Sequence, residues 1–385
     1  MEFEACKNNI VPKDLIVFGE DWGGHPSSTQ YLVKLLARNR RVLWVNSIGL
    51  RRPKLNFSDF RRLLVKFKAM IKPFREMSES NSISPVHVVQ PKAFPFPGNR
   101  LARMLNRRLL MRLIKPAIVQ AGLKHPVLWV SLPTAVDMIG ELNECAVVYY
   151  CGDDFGALSG VDHKPVLKLE EELAIKADLI LAASPVISKR FKADKTHVIT
   201  HGVNFDLFSK LAPRASDLPV KGPVAGFYGS LADWLDIDLI CDTARSLPHW
   251  TFVFIGAINT DVSKLQIASN ILLLGPRNHN ELAEYSQHWN ASLLPFRDTE
   301  QIRACNPLKL REYLAAGSPI ISTDFPALDG YRDLITVVKT ADDFSRALIE
   351  SLDDHKLKRV LRKERVSQES WEARAQAVAE LIDNL

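Results

Sequence analysis

Cysteine is sparse and unpatterned in this chain. The five residues Cys6, Cys145, Cys151, Cys241 and Cys305 are scattered, with no CxxC pair and no Cys/His cluster. A disulfide framework and a structural metal site are therefore not expected, and the pattern reads as free thiols in a reducing compartment. Long apolar runs are missing as well: none approaches the ~20 residues needed to span a bilayer. The first residues include Glu2 and Glu4 and lack a basic stretch followed by an apolar one, so no signal peptide is expected. Neither the G-x-G-x-x-G dinucleotide fingerprint nor the G-x-S-x-G nucleophile elbow occurs, and no D-x-D stands at an expected metal site. Internal repeats and low-complexity tracts are absent too.

What is present is an ordinary globular composition, 46% hydrophobic and 24% charged, in a chain of 385 residues. That length exceeds one ordinary core and predicts two domains. The formal net charge of +6 hides a division: residues 1–125 hold 23 Lys+Arg against 8 Asp+Glu, and the remainder holds 27 against 36. One half is thus suited to an anionic surface. Two segments concentrate the positive charge. Phe57–Phe74 repeats apolar residues at Phe60, Leu63, Leu64, Phe67, Met70, Ile71 and Phe74 among basic ones. Arg100–Ile114 sets Leu101, Leu105, Leu109 and Leu113 beside Arg103, Arg107, Arg108 and Arg112. Both patterns describe basic amphipathic helices, which either lie on anionic lipid or pack their apolar face on the core. No zinc-finger or RNP-type motif accompanies the charge, so nucleic acid is not an expected partner.

Strand and helix patterns alternate almost throughout. Leu15–Phe18, Val42–Val45, Val86–Val89, Val127–Val130, Val147–Tyr150, Leu179–Ala182 and His197–Thr200 read as strands, followed by a second series at Val224–Phe227, Phe252–Ile255, Ile271–Leu274, Ala291–Pro295 and Ile320–Thr323. Such alternation predicts an α/β fold of two doubly wound, Rossmann-like domains facing each other across a cleft. The expected boundaries are residues 1–208, a linker at 209–222 with two prolines and little apolar periodicity, a second domain at 223–365, and a C-terminal helix at 366–385 crossing back to the first domain.

The most informative stretch runs from Asn306-Pro307-Leu308-Lys309-Leu310-Arg311-Glu312-Tyr313 to Ala315-Ala316-Gly317-Ser318-Pro319. Lys309 and Glu312 are three apart at the start of a predicted helix, hence on one face. Gly317 and Pro319 stop that helix. A helix N-terminus carrying Lys attracts phosphate, and a Glu one turn deeper can accept hydrogen bonds from a ribose diol. A surface Lys–Glu pair is the plainer alternative. In the turn after the first strand of the second series, Gly229 allows close backbone approach, and amides near Ser230 can cradle a phosphate. Asp153 and Asp154 follow a strand end in the first domain, and adjacent carboxylates raise one another's pKa, as suits a base. Gly23, Gly24 and His25 lie in the loop after the first strand, and Thr134 follows another strand end.

The 306–321 stretch resembles the donor-site signature of GT-B glycosyltransferases, especially family 4 and its relatives in bacterial polysaccharide assembly of the teichuronic-acid type. Thr200-His201-Gly202-Val203-Asn204 with Phe208, Ala177-Asp178 through Ser184, Ala291 through Pro295-Phe296, and Ser370-Trp371-Glu372 with Arg374 resemble further family segments in the same order. The resemblance implies a cytoplasmic hexosyltransferase, peripheral on the inner face of the cell membrane. It would move a hexose from a UDP or GDP sugar to a lipid-linked or glycan acceptor, with no metal or other cofactor. It maps the ribose contact onto Glu312 and puts the donor on Gly229, Ser230, Asn306, Pro307, Lys309 and Leu310, with Arg303 and Arg277 as further cations for the phosphates. Asp153, Asp154 and His25 become the catalytic candidates; Gly23, Gly24 and Thr134 the acceptor contacts. Two family positions differ: Ala304 stands where the first Glu of the E-x7-E motif belongs, and Ser230 where an Arg often binds pyrophosphate. A non-catalytic scaffold of the same fold, or a sugar-nucleotide epimerase, are the alternatives.

Overall fold

Runs such as Leu15-Ile16-Val17-Phe18 and Val127-Leu128-Trp129-Val130 are apolar at every position, as strands covered on both faces must be, and all eight side chains are buried. The computed structural model describes residues 11–24, 27–48, 86–94, 96, 98–157, 163–354 and 356–385. Two units are formed: 1–199 with 375–385, and 200–374.

In the first unit the described strands are β1 (Leu15–Phe18), β2 (Val42–Val45), β3 (Val86–Val89), β4 (Val127–Val130), β5 (Ala146–Cys151), β6 (Leu179–Ala182) and β7 (Thr196–Val198). They pair in parallel in the order β3-β2-β1-β4-β5-β6-β7. The helices are α1 (Ser28–Leu36), α2 (Arg100–Gln120), α3 (His163–Lys176) and the single turn α4 (Pro185–Ser188). The order reverses between β1 and β4, so a crevice opens past their carboxyl ends.

The second unit repeats the scheme. Here β8 (Val224–Tyr228), β9 (Thr251–Ile255), β10 (Ile271–Gly275), β11 (Ala291–Leu294), β12 (Ile320–Ser322) and β13 (Thr336–Val337) lie in parallel in the order β10-β9-β8-β11-β12-β13. The switch point is β8/β11. Helices α5 (Phe205–Ser209), α6 (Ile237–Ser246), α7 (Ser263–Ile267), α8 (Leu282–Ser286), α9 (Glu300–Ala304), α10 (Leu308–Ala316), α11 (Ala341–Glu350) and α12 (Lys356–Ser367) surround it, and α13 (Trp371–Asp383) follows. α10 ends as expected: Gly317 takes a left-handed φ of 88° and returns its N–H to Tyr313.

Two features differ from the sequence expectation, and a third decides between two readings the sequence left open. The first unit ends at Ile199, and the 209–222 segment belongs to the second, because Phe208, Ala215 and Leu218 are buried in the second core and the Ala215 N–H bonds Glu284 at 3.1 Å. Residues 366–374 also stay with the second unit, and α13 reaches the first only from Ala375; there Asp383 takes a two-pronged ion pair from Arg40 at 3.0 Å. Lastly, α2 turns Leu110 and Ile114 to the core and leaves Leu101, Leu105 and Leu109 exposed. The leucine stripe that could have packed inward faces out. The companion segment Phe57–Phe74 lies outside the described residues.

Candidate nucleotide and carboxylate sites

In the second unit, β8 leads into the Gly229 turn, and β11 leads through Pro295-Phe296 and α9 to the start of α10. The first amides of a helix lack intrahelical acceptors, which makes this start an anion site. Lys309 sits in its first turn. Its ammonium lies 4.6 Å from the Phe227 ring centre and 5.5 Å from that of Phe296, a cation–π setting. Gly229 has φ 133°, and a Cβ there would stand 2.6 Å from Lys309 Nζ. Two residues eighty positions apart in sequence are thus brought together as expected. Desolvation by the surrounding protein pushes the Lys309 pKa down to about 8, with the Glu312 and Cys305 charges pulling against it. A cation so poorly solvated gains much from an arriving phosphate.

Glu312, buried one turn deeper, bonds His279 Nε2 through Oε1 at 2.7 Å. His279 comes from the turn before α8 and was not anticipated from sequence. Its signal there was only a lone histidine inside an Asn278/Glu281 capping box. Beside it, Tyr228 is buried with its hydroxyl lacking a hydrogen-bond partner among the described residues; burial and then the Glu312 charge hold that phenol well above its ordinary pKa. Glu312 keeps acceptor capacity beyond its bond to His279, as a ribose diol requires.

The other expected donor residues divide. Pro307 caps α10 with an extended backbone. Ser230 Oγ accepts from Asn259 at 2.5 Å beside the Gly229 turn. The Asn306 side-chain oxygen accepts from Arg311 at 2.6 Å, and Arg311 is held in turn by Glu369 at 2.7 Å, so Asn306 fixes the loop entering the helix. Leu310 is fully buried in the core, and its side chain is not available to a ligand. Arg277 is tied to Asp217 at 2.7 Å and to the Tyr285 hydroxyl at 3.0 Å. Arg303 is exposed and held by Asp298 at 2.6 and 2.7 Å. Both arginines are thus committed to nearby carboxylates, and Lys309 remains as the expected cation at the turn.

The first unit gathers carboxylates instead. Past β5, Asp154 accepts from Arg190 at 2.7 Å and from the Gly156 N–H at 2.9 Å. Arg190 also bonds Glu170 at 2.5 Å, and Glu170 receives the Tyr149 hydroxyl at 2.7 Å. Asp154 is therefore tied down by an ion pair, which makes it a support rather than a base. Asp153 has no ion pair among the described residues; solvent reaches it, yet the protein around its carboxyl, followed by the Asp154 charge, raises its pKa. Past β1, Glu20 bonds Ser27 and receives Gln30 Nε2 at 3.3 Å. Burial raises its pKa too, and Asp153 adds to that rise. Glu20 and Asp153 thus belong to one electrostatic neighbourhood, and Glu20 was missed because only its loop, not its carboxyl, stood out.

Gly23 donates to Gln30 Oε1 at 3.0 Å and Gly24 to the Asp21 carbonyl at 3.1 Å, so both glycine N–H groups already serve the loop. His25 lies outside the described residues. Thr134 departs from expectation: its hydroxyl is buried, has no partner among the described residues, and lines a cavity of about 20 Å³ with Asn106 and Asp137. The short 3-10 helix Pro133–Met138 after β4 turns it inward, and Ser131 holds the strand end, with Thr29 at 3.2 Å and Trp129 Nε1 at 2.9 Å.

The family model Glycosyl transferases group 1 matches residues 222–354, which carry the Lys309–Glu312 site. The chain is 31% identical over 221 residues to TuaH of Bacillus subtilis (strain 168), a protein assigned as a teichuronic acid biosynthesis glycosyltransferase; the match covers 52% of this chain and 56% of that protein, so the chain spans little more than half of its relative's length. Among solved structures, Anabaena HepE with UDP and glucose superposes with a TM-score of 0.69 at 13% identity, over 97% of this chain and 100% of that one. Sucrose-phosphate synthase of Thermosynechococcus elongatus gives 0.70 at 17% identity, over 97% and 98%. At these identities the likeness speaks for the fold. Residues 222–354 thus resemble a Glycosyl transferases group 1 domain, within a chain of the two-domain GT-B fold.

Proposed function

We propose that the protein is a hexosyltransferase that uses a nucleoside diphosphate sugar, with UDP or GDP as the nucleotide, in cell-surface polysaccharide assembly. The observation that carries this reading is the Lys309 ammonium held against the Gly229 turn at the start of α10, with Glu312 one turn on. The ribose diol meets Glu312, and the diphosphate meets the helix start and Lys309. Transfer leaves negative charge on the departing diphosphate. A pre-positioned ammonium and helix amides stabilise that charge as it grows, without reorganisation. The scheme assigns this task to protein groups and gives no role to a divalent metal.

Asp153 takes the proton of the acceptor hydroxyl as the new glycosidic bond forms and the sugar–phosphate bond breaks. This role belongs to a reaction in which the acceptor attacks from the face opposite the departing diphosphate and the anomeric centre inverts. Asp154, paired with Arg190, adds the neighbouring charge that keeps Asp153 basic enough. The acceptor is a lipid-linked or glycan hydroxyl, and the enzyme works at the inner face of the cell membrane. The similarity to TuaH supports the polysaccharide setting.

A thermal-shift titration with UDP, GDP, dTDP, ADP and NAD tests the donor site, because a native-state ligand raises apparent stability by mass action. A selective shift with UDP or GDP is expected, together with release of that nucleotide from its hexose donor on incubation. No shift with any nucleotide would refute the reading. Binding without turnover of UDP- or GDP-hexoses, with lipid-linked and glycan acceptors present, would reduce the protein to a scaffold.

A further inference from the structure

We infer that the outward face of α2 docks on an anionic lipid surface. Over Arg100–Gln120 the sequence places six cations and no carboxylate. Burial sorts these residues into two faces. Leu110 and Ile114 anchor the helix to the core at 3% and 0% exposure, whereas Leu101, Met104, Leu105 and Leu109 are 67%, 42%, 44% and 36% exposed. Leu101, Leu105 and Leu109 are spaced by four and make one stripe. Arg108 and Arg112 are exposed on that same side.

The arginines are sorted in the same way. Arg103 is matched by Asp137 at 2.7 Å and Glu172 at 2.8 Å, and Arg107 by Glu141. Among the described residues no ion pair engages Arg100, Arg108 or Arg112. The acids of neighbouring elements therefore neutralise the inner edge and leave the outer one charged. Leucines at this density on a solvated helix face lose stabilisation that the headgroup–acyl boundary supplies, while the arginine heads reach lipid phosphates. A second copy of the same face would bring unneutralised arginines against each other. A nucleic acid would gain nothing from the leucines. The lipid surface satisfies both sets of residues at once. This inference deepens the membrane-facing part of the proposed function and does not depend on turnover.

Flotation of the full-length protein with vesicles tests it. Binding is expected to phosphatidylcholine vesicles containing phosphatidylglycerol, and to be at least tenfold weaker to phosphatidylcholine alone. Arg108→Gln with Arg112→Gln should weaken binding to the anionic vesicles about fivefold per arginine. Leu101→Ser with Leu105→Ser and Leu109→Ser should weaken it by more than tenfold. These side chains are exposed, so the variants should keep the wild-type melting temperature and bind nucleotide equally, which keeps lipid docking and donor binding separate results. Absence of flotation, or leucine and arginine variants that float like wild type, would overturn the inference. So would a dimer in lipid-free solution that the leucine changes disperse, since the stripe would then be a self-association face.

Discussion

The two units share their wiring and differ in chemistry at the same place. Each is a parallel sheet whose order reverses once, at β1/β4 in the first and β8/β11 in the second. Past the reversal the first unit presents Glu20, Asp153 and the Arg190-paired Asp154, and the second presents Lys309 and a helix start. In both, the surrounding protein disfavours charge: the Glu20 and Asp153 pKa values are raised and that of Lys309 is lowered. The comparison teaches that the fold decides where a ligand goes, while a few side chains decide its sign. An acid-rich edge suits proton removal from a hydroxyl; a poorly solvated cation suits a diphosphate.

The comparison breaks most sharply at Asp153. Asp153→Asn should cut kcat by roughly 10³-fold, within the range for loss of a general base, and leave nucleotide affinity unchanged. Because its pKa is raised, the acid limb of the wild-type rate–pH profile should lie above the ordinary carboxylate range, with activity rising as Asp153 ionises. Glu312→Ala should weaken nucleotide binding about 10- to 100-fold, the cost of losing hydrogen bonds to a charged group; calorimetric titration checks this, and unchanged affinity would remove Glu312 from the ribose site. A smaller effect separates the units by pH. Lys309 loses its proton through about pH 8, so nucleotide affinity should fall about tenfold from pH 7 to pH 9 as the charged form is depleted, while a Lys309→Met variant shows no such slope. The smallest effect is expected at Arg303, whose exposed pair with Asp298 is worth little. Arg303→Ala should keep nucleotide affinity within about twofold.

The architecture was readable because strands covered on both faces are continuous apolar runs, and those at Val42–Val45 and Leu179–Ala182 match residue for residue. β13 was not read, being two residues long. Nor was α12, whose charged sequence is held down by Arg362 and its two bonds to Asp354, a tertiary interaction without a local pattern. In the site, Lys309 and Glu312 were legible because helix spacing put them on one face. The approach of Lys309 to Gly229 was legible only through the resemblance. His279 and Glu20 acquire their roles from partners distant in sequence. Arg277 looked isolated in sequence for the same reason: Asp217 lies sixty positions away, and no local pattern announces the pair.

The central claim is that Lys309 receives the donor diphosphate, and isothermal titration of UDP and GDP into wild-type protein and the Lys309→Met variant tests it most directly. Saturable binding of one of the two nucleotides to wild type is expected at neutral pH, and at least a tenfold loss in the variant with its melting temperature kept. Equal affinity of the two proteins for that nucleotide would contradict it.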